Sequence, residues 1–412
     1  MKSRVEAANE VALTRLISAD PVLVDVAPAR EVVDGLEGRM ILHAGPPIAW
    51  QRMCGAMRGS VIGLVLWEGW AGSAEEAERL IAEGGVRLEP NHHHHGVGPM
   101  AGTTSPSLPV WVVENRTFGN RAFCRLAESY QQFGQFDAEA LGGLTRWRDV
   151  WAPSIRAGLR RRGPISLKSI IARALVMGDE LHNRPNAASS LFANVIGQAM
   201  VDADVAKPAL LETMGYLAGN EFLFLGISMA AAKSAAEPVE GVADGTLVTA
   251  MARNGVEFGI RVAGMPGEWF VAPAPQVEGL MLPGFKPEDA GLDMGDSAIT
   301  ETVGWGGFVL GGAPGILALT GGTPEQALQI SRDMRQITAG ASPDYRMPAL
   351  GFAGAAVGID VRKVVATGIE PLIDTAIAHR DPGHPKIGGG LVRAPMACFR
   401  SALAEFGRRH GV

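Results

Sequence analysis

Between residues 138 and 238 the sequence is helical in period almost throughout, with breaks at Gly163-Pro164, Arg184-Pro185-Asn186 and Lys207-Pro208. Proline lacks the backbone N–H that a helix interior needs, so helices end at these breaks, and the stretch reads as about five helices. The strand patterns lie to either side of this block. On the N-terminal side the periods alternate. Helices are expected over 4–17, 47–58, 73–83 and 120–132, with short buried strands at 22–26, 39–44 and 110–113. Ser73 stands three residues before Glu76, a capping-box pattern at a helix start. After Glu237-Pro238 strands return at 246–251, 256–262 and 269–272, the first two joined by the turn Arg253-Asn254-Gly255. Helices follow at 324–337, 359–367 and 396–408, with an apolar segment at 372–377.

This organisation predicts an α+β, multidomain chain. An N-terminal α/β domain would span residues 1–137, a small helical domain 138–238, and a C-terminal α/β domain 239–412. With 412 residues, 47% hydrophobic and 19% charged, the chain is globular rather than disordered. Its net charge of −6 offers no general attraction for nucleic acid. Three widely spaced cysteines, Cys54, Cys124 and Cys398, form no CxxC and no disulfide framework, which points to a reduced, cytoplasmic setting. The first ten residues lack the apolar core of a signal peptide. The longest apolar stretch, 303–322, is too rich in glycine for a membrane span, so buried interior is expected instead.

Familiar catalytic signatures are absent. No GK dipeptide exists, hence no P-loop, and there is no HExxH. The stretch Gly96-Val-Gly-Pro-Met-Ala-Gly102 has one residue too many for a dinucleotide fingerprint. Chemistry is instead concentrated in five stretches where polar groups and glycines crowd together.

The first is Asn91-His-His-His-His-Gly-Val-Gly98, holding four of the nine histidines. In an extended chain His92 and His94 would face one way and His93 and His95 the other, so at most two could ligate one ion. Imidazoles can also bind anions, and Gly98 allows backbone N–H groups to converge on an oxyanion. Anion binding is the preferred reading; a divalent metal or a plain exposed loop are the alternatives. The second stretch, Gly178-Asp-Glu-Leu-His-Asn-Arg184, sets Asp179 and His182 three apart, on one face if the helix persists. That pair suits proton transfer, with Asn183 beside it; a local hydrogen bond at a helix end is the bland alternative. Asn220 opens an apolar helix and is a polar candidate or a cap. Ser297 lies in Gly295–Gly307, a run of hydroxyls, carboxylates and glycines that lets backbone approach a ligand or other backbone. Finally His379 and Arg380 end a strand and are followed by Lys386 and Gly388, a pattern suited to phosphate or carboxylate recognition.

Taken together, Asn91–Pro109, Gly178–Ala188, Gly219–Lys233, Asp296–Gly322 and Gly358–Gly390 resemble the AllG (YlbE-like) family, long described as a domain of unknown function. The resemblance covers most of the chain. It implies α/β domains joined to a small helical domain and a subunit of oxamate carbamoyltransferase, which phosphorolyses oxalurate into oxamate and carbamoyl phosphate in allantoin breakdown. It further implies an FdrA-like partner, similar to the acyl-CoA synthetase α subunit, and a third subunit. The family's catalytic residues do not carry over, so the candidates rest on motif and chemistry. Asp179, His182 and His379 are the catalytic candidates. His92–His95, Gly98, Asn183, Asn220, Ser297, Arg380, Lys386 and Gly388 are candidates to bind phosphate, carbamoyl phosphate or an oxamate-like anion. Other readings are a non-catalytic scaffold for the FdrA-like partner and a metal-dependent amidohydrolase using the histidine run. No cofactor, membrane or nucleic acid is called for, and a homo-oligomer stays open.

Overall fold

The computed structural model describes residues 3–126 and 131–410. It is a mixed α+β fold in which helices and several small sheets alternate. The opening helix Arg4–Ser18 starts at a reciprocal cap, the Ser3 hydroxyl accepting the Glu6 N–H and the Glu6 carboxylate accepting the Ser3 N–H. Helix Ala74–Ala82 shows only half of the pattern: Ser73 accepts the Glu76 N–H, while the Glu76 carboxylate takes the N–H of Gly72.

Five strands form the first sheet, in the order Gly96–Val97, Arg121–Arg125, Pro109–Asn115, Pro21–Pro28 and Ile165–Ser166. Only the outer pair Gly96–Val97 and Arg121–Arg125 is parallel. The helix expected over 120–132 is therefore corrected. Residues 121–125 are a strand, because Ala122 and Cys124 alternate with Arg121, Phe123 and Arg125 across from Pro109–Asn115; residues 127–130 lie outside the described residues. The helix expected at 47–58 sits later, at Gly55–Trp67, after a short 3-10 turn at Trp50–Arg52.

Helices Ala138–Arg146, Ala152–Arg162, Leu167–Val176, Asn186–Asp202, Lys207–Gly219 and Leu223–Ala236 fill the middle of the chain. Leu223–Ala236 is buried along its whole length and packs on strands Pro109–Asn115 and Arg121–Arg125. Helices and sheet share one apolar core that includes Trp111, Phe192 and Phe224.

Further along, Met265–Pro273, Glu257–Val262, Val248–Asn254 and Met294–Gly295 form an antiparallel sheet. The expected turn at Arg253–Gly255 is present, with Gly255 at a positive φ of 80°. A three-stranded sheet orders Glu278–Met281, Lys386–Arg393 and Leu372–Ala378. Both contribute to a second core around Phe258, Phe308 and Phe399, in which the closing helix Met396–His410 packs on strands Glu257–Val262 and Met265–Pro273. Among the described residues no single helix is long and apolar enough to cross a membrane. None of the three cysteines is in a disulfide.

Candidate functional site

A cavity with about 510 Å³ of empty space, partly open to solvent, lies where distant segments converge. His182 and Asn183 come from the loop after helix Leu167–Val176, and Ser297 from the turn before the short helix Ile299–Thr302. Lys386 is the first residue of strand Lys386–Arg393. Pro99, Met100, Phe133, Phe222, Leu225 and Ala376 supply apolar walls. Small-molecule sites commonly combine such walls with a few convergent polar groups.

The loop carrying His182 is not helical, and this changes the role of Asp179. Its carboxylate accepts the N–H groups of Ala187 (3.1 Å) and Ala188 (2.8 Å), capping the start of helix Asn186–Asp202. Asp179 is therefore no partner of His182. The loop is stapled by Glu180 instead, whose carboxylate accepts the N–H of His182 (2.9 Å) and of Arg184. Between them Leu181 sits at φ 73°, a conformation bulky residues rarely adopt, with its carbonyl held by the Ser228 hydroxyl at 2.8 Å. Met100, in the opposite wall, is also left-handed at φ 50°. Backbone strain of this kind, on the order of 1–3 kcal/mol per residue, tends to cluster at ligand sites.

His182 is held from behind by acids. Its Nδ1 lies 2.8 Å from Glu301 Oε1 and 3.3 Å from Asp374 Oδ1, all three side chains being buried. Glu301 Oε1 also accepts the Gly307 N–H at 2.9 Å, and Oε2 accepts the Thr300 hydroxyl at 3.0 Å. Gly306 is required here: its φ is 57°, and a Cβ would stand 2.0 Å from Glu301 Oε1. Burial opposes a charge on His182, but Glu301 and Asp374 outweigh it and push the ring up to about 10. Burial pushes Glu180 well above its ordinary value, helped by Asp374, and pushes Glu301 up against the pull of His182. Burial acts upward on Asp374 too, yet His182 and the neighbouring carboxyls hold it below its ordinary value. With Nδ1 engaged, Nε2 is the ring atom left to face the cavity.

Lys386 stands 4.9 Å over the Phe222 ring, and no ion pair to it is found among the described residues. Burial pushes its ammonium down, while Asp374 and Glu221 act the other way. Asn183 is 7% exposed, and among the described residues its Nδ2 has no hydrogen-bond partner. An unpaired buried amide is costly, so this one is a donor waiting for an acceptor. Ser297 Oγ is 3.4 Å from the Arg253 guanidinium, which is itself locked to Asp293 by two bonds of 2.7 and 3.0 Å.

Of the sequence candidates, the cavity gathers His182, Asn183, Ser297 and Lys386. The four histidines go elsewhere, because residues 91–94 are a 3-10 turn rather than an extended chain and His95 is left-handed. His92 is buried against Trp269, with Nε2 3.6 Å from Asp296, and burial together with Lys233 and Arg261 keeps it neutral. His93 accepts from the Trp269 indole at 3.1 Å. His94 sits between the Asp34 carbonyl and the Glu89 carboxylate, and His95 pairs with Glu237 at 2.8 Å. His92 and His93 share Trp269 while His94 and His95 turn to Glu89 and Glu237, so the four rings do not converge on one ion. Among the described residues the His, Cys, Asp and Glu donors that do converge are those of His182, Glu301 and Asp374, all within 4.8 Å of one another.

The anion cradle expected at Gly98 is built, but an acid of the chain itself fills it. Asp296 accepts the N–H groups of Gly45 (2.7 Å) and Gly98 (2.8 Å) and the Asn91 amide (3.0 Å). Asn220 ends helix Lys207–Gly219, its Oδ1 accepting the Phe222 N–H. His379 stacks on His384 at 3.8 Å and accepts the Asp381 N–H, and Arg380 is exposed; neither lines the cavity. Gly388 lies mid-strand, where a Cβ would come within 2.5 Å of the Leu280 carbonyl.

Sequence reasoning assigned nothing to Glu180, Glu301 or Asp374. The signal was available: Asp374 is the single acid in Leu372–Ala378, a strand whose every residue is buried. An acid inside such a run needs a partner.

The family model described as oxamate carbamoyltransferase subunit AllG matches residues 86–297. The chain is 42% identical over 419 residues to the oxamate carbamoyltransferase subunit AllG of Escherichia coli K12, covering all of both proteins. It is 44% identical over 415 residues to the uncharacterized protein YahG of the same strain, covering all of this chain and 88% of that one. The crystal structure of a conserved protein of unknown function from Enterococcus faecalis V583 superposes with a TM-score of 0.97 at 42% identity, over 98% of each chain. With identity of this level sustained from end to end, the chain belongs to the family of the oxamate carbamoyltransferase subunit AllG.

Proposed function

We propose that the protein is a subunit of a carbamoyltransferase that phosphorolyses an N-carbamoyl amide of the oxalurate type, and that the cavity at Lys386 holds the anionic reactants. In that reaction a phosphate oxygen attacks the carbamoyl carbon and the bond from that carbon to the amide nitrogen breaks. The nitrogen leaves with a proton as an oxamate-like amide, and the carbamoyl group departs as carbamoyl phosphate. Both reactants are small anions with carbonyl oxygens, so the chemistry asks for a cation and fixed donors in a site shielded from water.

We assign the cation to Lys386 and the donors toward carbonyl oxygen to Asn183 and Ser297. His182 Nε2 is assigned the hydrogen bond to the departing nitrogen. The observation that carries this reading is Asn183, a buried amide whose Nδ2 has no partner among the described residues and which lines the same cavity as Lys386. In this reading the chain works with an FdrA-like subunit and a third family subunit; that the Escherichia coli relative is called a subunit fits a multisubunit enzyme.

The test is formation of carbamoyl phosphate from oxalurate and phosphate by this chain alone and together with its co-purified partners. Turnover in the mixture that is lost with Asn183→Ala supports the assignment. Turnover in the mixture that Asn183→Ala leaves untouched places the chemistry on another subunit and leaves this chain a scaffold.

A further inference from the structure

We propose that His182, Glu301 and Asp374 form a binding site for one divalent transition-metal cation of the Mn²⁺ or Zn²⁺ class, in the wall of the cavity. The site is distinct from the histidine run, and its existence does not rest on the carbamoyltransferase reading.

The spacing of the donors comes first. Metal–ligand distances of about 2.0–2.2 Å place adjacent ligand atoms about 2.8–3.5 Å apart. His182 Nδ1 lies 2.8 Å from Glu301 Oε1 and 3.3 Å from Asp374 Oδ1. The three donors come from a loop, a short helix and a strand, and each backbone is pinned by its own contacts. The Glu180 carboxylate accepts the His182 N–H. Gly307 N–H and the Thr300 hydroxyl orient the two oxygens of Glu301. Asp374 sits inside the paired strand Leu372–Ala378. Such outer contacts are what fix ligands at metal centres.

Asp374 supplies an independent observation. It is fully buried, and among the described residues its carboxylate oxygens accept no well-formed hydrogen bond, His182 Nδ1 at 3.3 Å from Oδ1 being the neighbour that meets them. A buried carboxylate without donors is costly unless a cation or proton meets it. Its oxygens point at His182 and Glu301 rather than at backbone amides. Gly306 adds room: the position of a Cβ there lies 2.0 Å from Glu301 Oε1 and 3.1 Å from Asp374 Oδ1, space that a side chain would take.

Charge points the same way. Glu180, Glu301 and Asp374 bring three buried carboxyl groups around one imidazole. A divalent cation would offset two of those negative charges. One nitrogen and two carboxylate oxygens suit Mn²⁺ or Zn²⁺, whereas Ca²⁺ and Mg²⁺ take oxygen donors. Three protein ligands leave further coordination positions for water.

The experiment uses the full chain, stripped with a chelator and then titrated with Mn²⁺, following the free-ion signal by electron paramagnetic resonance. One tightly bound Mn²⁺ per chain is expected, displaced by Zn²⁺ and accompanied by a rise in melting temperature. Asp374→Asn and Glu301→Gln should each weaken binding by about 100-fold, while His94→Gln leaves it unchanged. Pulsed measurements on the wild-type protein should show one imidazole nitrogen coupled to the bound Mn²⁺, a readout that needs no variant to fold. Absence of stoichiometric binding by the folded wild-type chain overturns the site. So does binding without a coupled nitrogen, or binding lost with His94→Gln and kept with Asp374→Asn.

Discussion

Nδ1 of His182 lies 2.8 Å from Oε1 of Glu301, although 119 positions separate the two residues in the chain. That contact joins the loop after helix Leu167–Val176 to the turn around Gly306, and the Gly306 N–H donates to the Glu180 carbonyl at 2.7 Å to close the junction. The imidazole, which lines the cavity, is thereby fixed in rotation through Nδ1. A ring held this way has its orienting entropy already lost before a ligand arrives.

Replacing Glu301 by Gln should lower kcat of the assembled enzyme by roughly 10–100-fold while changing KM for phosphate by less than about threefold, since Lys386 is untouched. The orienting contact is weakened and the anion contact is not. Steady-state kinetics of the reconstituted complex checks the split; a rise in KM with unchanged kcat contradicts the role.

Asp179→Ala should act on stability rather than on chemistry. The carboxylate caps helix Asn186–Asp202 through Ala187 and Ala188, and losing such a cap costs about 0.5–2 kcal/mol. Denaturant unfolding should show that loss, and the folded fraction should retain turnover within about threefold, too small a change for a lost proton-transfer group.

Asp296 makes stability depend on pH. Burial raises its carboxyl from 3.8 to about 7, against the pull of the N–H groups of Gly45 and Gly98 and the Asn91 amide. Between about pH 4 and 7 the folded state therefore holds a proton that the unfolded chain has released. Stability contributed by this group is present at the acidic end of that window and is lost as pH rises through 7, by at most about 1.4 kcal/mol per pH unit. In Asp296→Asn the slope of unfolding free energy against pH over this range should flatten. An unchanged slope would assign the titration to another group.

His379→Ala should reduce turnover by less than about threefold, because the ring stacks on His384 and accepts a backbone N–H outside the cavity wall. A loss as large as that of the cavity variants would require a ligand surface at the end of strand Leu372–Ala378, and side-by-side assays of both variants decide it.

The α+β character and most elements were legible in the sequence because their periods are strong: Arg4–Ser18, Pro324–Gln336 and the Val248–Asn254 hairpin strand all fall within a few residues of expectation. The strand Arg121–Arg125 was read as a helix because its alternation is too short to separate from a helical period and its neighbours are polar. Within the site, four candidates from three stretches came together. What periodicity cannot show is which partner a long-range fold supplies. Asp179 and His182 are close in sequence but are parted by the left-handed Leu181, while Glu301 and Asp374 arrive from far down the chain. At Gly98 a reactant anion was expected, and nothing local reveals that the N–H goes to Asp296 instead.

The most direct test of the anion site is Lys386→Met in the reconstituted complex, measuring carbamoyl phosphate formed from oxalurate against phosphate concentration. Removing one charged hydrogen-bond donor costs about 1.5–3 kcal/mol, so kcat/KM for phosphate should fall roughly 10–150-fold with the protein still folded and its partners still bound. Unchanged kcat/KM in a folded, assembled Lys386→Met complex contradicts the account and moves the anion site off this cavity.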